Sequence, residues 1–64
     1  MSAEQHTAIA IANFKAAFKF DVTSKDVEYE IVEGDVYCSC IHFGIIYAVG
    51  MTMTDEVFLC KEIR

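Results

Sequence analysis

Sixty-four residues support one small domain (1–64), and a fold of that size buries only about 60 % of its unfolded surface. Apolar residues make up 55 % of the chain, above the roughly 45–50 % usual for globular domains, and with five phenylalanines and three tyrosines they exclude a disordered chain. The net charge of −5 rests on ten acids and only five bases, which excludes the basic stripe that nucleic acid or an anionic membrane surface requires.

The first element is a helix over about residues 2–20. Ser2 and Gln5 have the spacing of a capping box, in which hydroxyl and amide satisfy orphan backbone donors. Six alanines between Ala3 and Ala17 add helix propensity. At 100° per residue, Ala3, Thr7, Ala10, Ile11, Phe14, Ala17 and Phe18 share one face. Lys15 and Lys19 fall near the C-terminal end, where the helix dipole favours positive charge. His6, Ile9 and Phe20 lie off that stripe.

Asp21 to Asp26, rich in Asp, Thr and Ser, is a connection. A first strand is expected over about 26–33, because Val27, Tyr29 and Ile31 alternate with Glu28 and Glu30. Gly34-Asp35 is read as a two-residue turn with Gly in first place, leading to a second strand over 36–43. Phe43-Gly44 is the next turn, setting His42 opposite Ile45, Cys40 opposite Tyr47 and Cys38 opposite Val49. The third strand runs over 45–53. Thr54-Asp55-Glu56 then turns into a fourth, over 57–63, with Met53 opposite Val57 and Met51 opposite Leu59. The fold class is therefore α+β: one N-terminal helix packed on a four-stranded antiparallel β-meander.

These registers agree on the two faces of the sheet. Val27, Tyr29, Ile31, Val36, Cys38, Cys40, Ile45, Tyr47, Val49, Met51, Met53, Val57 and Leu59 form the face under the helix. A one-residue slip at any turn scatters that set. The other face carries Glu28, Glu30 and Glu62 at its margins and Val32, Tyr37, Ser39, Ile41, Ile46, Ala48, Gly50, Thr52, Phe58 and Cys60 between them. A sheet with one wet face alternates to polar residues there, and this one does not. From Val36 to Thr54 the chain has no charged residue, whereas Asp21, Asp26, Glu28, Glu30, Glu33 and Asp35 are six of its ten acids. An apolar centre rimmed by acids is the composition of an interface.

Cys38-Ser39-Cys40-Ile41-His42 is the sharpest local pattern. Alternate strand residues point the same way, so both thiols and the imidazole line one face, with ligand types suited to zinc or copper(I). The spacing matches no common structural zinc pattern, and core packing by small thiols is the preferred reading. A nucleophilic Cys–His pair needs a lowered thiol pKa, oxyanion donors and a pocket, for which so thin a fold leaves little room. No catalytic residue and no cofactor are expected.

Three cysteines without a basic start and apolar run at the N-terminus point to a reducing, intracellular and cytoplasmic setting. The expected function is that of a small, acidic, non-enzymatic interaction module. It acts as an inhibitor or regulator that masks a basic, nucleic-acid-binding surface of a larger protein, and a virus-encoded inhibitor fits such a composition. Glu28, Glu30, Glu33 and Asp35 are the expected steering charges. Tyr37, Ile41, Ile46 and Phe58 are the expected desolvated contact, with that protein or in a homodimer. The competing expectation is a small metal-binding protein that uses Cys38, Cys40 and His42.

Overall fold

The structure, a computed structural model, describes residues 3–63. Helix α1 (Ala3–Phe18) is followed by a single 3₁₀ turn (Ser24–Asp26) and four strands: β1 (Glu28–Val32), β2 (Asp35–His42), β3 (Ile45–Met51) and β4 (Val57–Ile63). The strands form one open antiparallel sheet in the order β1-β2-β3-β4, so the predicted helix on a meander is what the chain adopts. The proposed Ser2 cap lies outside the described residues. No described helix is long and apolar enough to cross a membrane.

The helix packs chiefly on β2 and β3. Its buried side chains are His6, Ala10 and Phe14, an i, i+4 series. The contact face is therefore turned from the one expected: Ala3 and Ala17 are exposed, Thr7 and Ile11 only half-buried, and Ile9 packs against the core. His6, off the expected stripe, lies inside, against Tyr29 and Asp55.

Lys19 ends the helix in the left-handed region, at φ 65°. Its amide donates to the Lys15 carbonyl at 3.0 Å, and its Nζ donates to the Ala16 carbonyl at 2.9 Å. These bonds satisfy carbonyls that a helix end leaves unpaired. The reversal folds Phe20 back under the helix, where its ring stacks on His42 at 4.1 Å and Phe14 at 5.7 Å and tilts against Tyr47 at 4.8 Å. Val36, Cys38, Cys40, Val49 and Met51 complete the core.

The β1–β2 hairpin turns at Glu33-Gly34, not at Gly34-Asp35. Both turn residues have positive φ, 50° and 84°, which is what a type I′ turn requires. Tyr29 consequently faces Cys38, and Ile31 faces Val36. This differs from the expected register by two residues, so every side chain keeps its face. Phe43-Gly44 forms the second turn in the same way, at φ 50° and 78°, and the predicted β2–β3 register is met throughout.

The last strand departs from expectation. The connection is a loop in which the Thr52 amide donates to the Glu56 carbonyl at 2.9 Å and the Asp55 amide to the Thr52 carbonyl at 3.0 Å. Met53 lies in that loop and is exposed. Val57 pairs with Met51 but Leu59 pairs with Gly50, leaving Phe58 as the extra residue of a β-bulge. That extra residue reverses the side-chain parity beyond it. Cys60 pairs with Val49 and packs on the core, and Glu62 pairs with Tyr47, whereas both had been expected on the outer face. Leu59, Lys61 and Ile63 take the outer positions instead. Ile31 is also exposed despite its place on the inner face, because it lies on the edge strand β1 beyond the cover of the helix.

Candidate functional site

The outer face of the sheet is the candidate site. Ile41 is 69 % exposed, Ile46 42 % and Phe58 50 %, and Val32 and Ile63 are comparably open. Tyr37 is half-buried and meets Phe58 edge-on, with ring centroids 5.9 Å apart. The two rings close over Gly50, which pairs with Tyr37 across β2 and β3. A Cβ on Gly50 would lie 3.0 Å from a carbon of each ring, so the aromatic plate depends on glycine there.

The acids occupy one side of this face. Glu28 and Glu30 are exposed on β1, Glu33 is exposed in the hairpin turn, and Asp35 is half-buried opposite Val32 at the start of β2. Among the described residues the one base on the face, Lys61, lies on β4 at the opposite edge. The face thus runs from acidic through apolar to a single base. The eight predicted contact residues lie together on this face or at its hairpin rim, and Lys61 was missed because the bulge is what turns it outward.

The Cys-x-Cys-x-His strand places its residues on the inner face, as its alternation implied. Cys38 and Cys40 are buried beneath the helix, while the half-buried His42 ring lies between Phe20 and Phe43. Among the described residues no group of three His, Cys, Asp or Glu side chains is placed to hold a metal ion. Cys38, Cys40 and Cys60 are free thiols, and burial raises the pKa of each above its ordinary 9.0; the nearby Asp26 charge adds to the effect at Cys40. The fold therefore favours neutral, weakly nucleophilic thiols.

Stability should accordingly fall in alkali. A raised pKa in the folded state means that the unfolded chain gives up these protons first. The contribution is fully present below pH 9 and is lost as pH rises through the folded-state values. Urea midpoints measured upward from pH 8 should fall, and Cys38→Ala should flatten the fall. An unchanged alkaline slope in that variant would contradict the assignment.

A polar constellation with no local sequence pattern joins α1 to the sheet. His6 is completely buried, with Nδ1 3.1 Å from Tyr29 Oη and Nε2 3.1 Å from Asp55 Oδ1. The latter contact is at ion-pair distance but lacks hydrogen-bond alignment. Gln5 Nε2 donates to Asp55 Oδ2 at 3.0 Å. The ring nitrogen Nδ1 and the Tyr29 hydroxyl share a hydrogen bond in which either can donate, according to the imidazole tautomer. The position of His6 four residues before Ala10 and eight before Phe14 was the available signal. His6 is enclosed in the core, whereas Tyr29 and Asp55 are half-buried and Gln5 is exposed. A shallow depression of about 420 Å³ opens between the helix and the 3₁₀ turn, lined by Ala3, Glu4, Thr7, Ala8, Ile11 and Ser24. Glu4 is its one ionisable lining residue, so it offers no acid–base pair.

No family model matches the chain, and no curated protein or solved structure is significantly similar to it.

Proposed function

We propose that the chain is a small, non-enzymatic interaction module that binds and masks a basic surface of a larger protein, acting as an inhibitor or regulator. The observation that carries this reading is the outer sheet face: an uncovered apolar centre with acids confined to its β1 side. An apolar patch of this size is the largest that a typical monomer exposes, and such patches often mark contact surfaces. Glu28, Glu30, Glu33 and Asp35 present a row of carboxylates that steers a cationic partner and competes with phosphates for it. Tyr37, Ile41, Ile46 and Phe58 supply the part of the contact that excludes water, with that protein or with a second copy of the chain.

The test is a charge reversal that leaves the core untouched. Glu30 and Glu33 are exposed, so Glu30→Lys with Glu33→Lys should not unfold the chain. Immobilised wild-type protein should retain basic proteins in a salt-sensitive manner. The reversed variant should lose them, with affinity reduced at least tenfold for a purified partner. Equal retention by both proteins would reduce the acids to a solubility device and remove the masking function.

A further inference from the structure

We infer that the outer face is covered by a second copy of the chain, in a dimer whose two-fold axis lies close to the strand direction. The inference rests on reading that face as a contact surface and names its occupant. Residues directly opposite in neighbouring strands share a face, so the registers define rows across the sheet. One row reads Glu28, Ser39, Ala48, Lys61, with the acid at the β1 edge and the base at the β4 edge. A second, on the Phe43-Gly44 side, reads Ile41, Ile46, Ile63. On the opposite side of the first row lies the plate formed by Tyr37 and Phe58 over Gly50.

Two copies meeting face to face can be related in two simple ways. An axis across the strands lays β1 on β1, and Glu28 and Glu30 then confront like charges. An axis along the strands lays β1 on β4 of the second copy and keeps each row at its own level. Glu28 then meets Lys61 of the second copy, twice by symmetry, and Ile41 meets Ile46 of the second copy. Ser39 and Ala48 at the centre are small, which lets the sheets approach to the roughly 10 Å of packed sheets. The charge pattern of the row is therefore complementary to itself in only one of the two arrangements.

The size of the face sets the class of interface. Four strands about 4.8 Å apart and roughly 20 Å long present a face of roughly 400 Å². That is about a tenth of the 4198 Å² surface of the chain, a typical share for an interface, but it falls short of the ~800 Å² per partner of a standard-size interface. An interface this small is of the weak, transient kind, so the dimer should be reversible. Glu33, at the hairpin end of each copy, stays free for the cationic partner.

Sedimentation velocity on the full chain, from micromolar to millimolar concentration, tests this without any other molecule. Wild-type protein should pass reversibly from the 7.2 kDa chain to twice that mass. Ile46→Lys should remain monomeric while keeping its circular dichroism spectrum, and Ile41→Lys, at a more exposed position, should do the same. Glu28→Lys and Lys61→Glu should each weaken the dimer about tenfold, and the double exchange should restore it. These two residues stand on opposite edges of one sheet, so rescue requires contact between copies. A wild-type monomer at every concentration overturns the inference, as does a dimer indifferent to Ile46→Lys or one that the double exchange does not rescue. If the chain stays monomeric yet loses its basic partners on Glu30→Lys with Glu33→Lys, the masking function stands and the dimer alone is rejected.

Discussion

Phe14→Ala should abolish cooperative folding. Phe14 is completely buried at the crossing of helix and sheet and stacks on Phe20, which itself contacts His42 and Tyr47. Truncating a buried phenylalanine costs about 3–5 kcal/mol in transfer and cavity terms. A core in a chain this short rarely supplies more than about 3–5 kcal/mol in total. The variant should therefore show no urea transition in near-ultraviolet circular dichroism. Phe43→Ala is the control: Phe43 is 91 % exposed in a turn, and its loss should change stability by less than about 0.5 kcal/mol. A cooperative transition in Phe14→Ala near the wild-type midpoint would mean that the aromatic cluster is not the centre of the fold.

The second large effect is expected at His6. His6→Ala removes a filled volume and also strips Tyr29 and Asp55 of their common partner. Leaving a buried polar group unpaired costs about 1–3 kcal/mol, and the cavity adds to that. Since Asp55 keeps Gln5, the total should be about 2–4 kcal/mol, enough to unfold much of the population at physiological temperature. His6→Phe fills the space without the polar contacts and should recover only part of the loss. A double-mutant cycle between His6→Ala and Asp55→Ala, read from urea midpoints, should give a coupling of at least about 0.5 kcal/mol. Additive losses would show that His6 acts through packing alone.

How far the structure was legible follows from what each feature depends on. The alternation of Val27 to Ile31 with glutamates is local, and so are the glycines of both hairpin turns. Those signals carried the meander and the composition of both faces through β3. Even the misplaced first turn was harmless, because moving it from Gly34-Asp35 to Glu33-Gly34 shifts the pairing by two residues and preserves parity. The bulge at Phe58 depends on a non-local fact, that the ring settles beside Tyr37 over the empty side of Gly50. Nothing within β4 announces it, so Leu59, Cys60 and Glu62 are expected on the faces opposite to those they take. His6 shows the same limit. It lies off the expected helix stripe, and the partners that draw it inside stand 23 and 49 positions away, at Tyr29 and Asp55. The placement of Glu28, Glu30, Tyr37, Ile41 and Ile46 on one face was legible because an even shift of register preserves side-chain parity.

If the outer face is a contact surface, Ile41 and Ile46 must be sheltered from water in solution. Their methyl resonances can be followed by nuclear magnetic resonance with a soluble paramagnetic agent as protein concentration is raised. Relaxation of both should weaken as the dimer fills, while the turn residue Phe43 stays fully accessible. Methyl groups of Ile41 and Ile46 that remain as accessible as Phe43 at the highest concentration, and also with a bound basic protein, would contradict it.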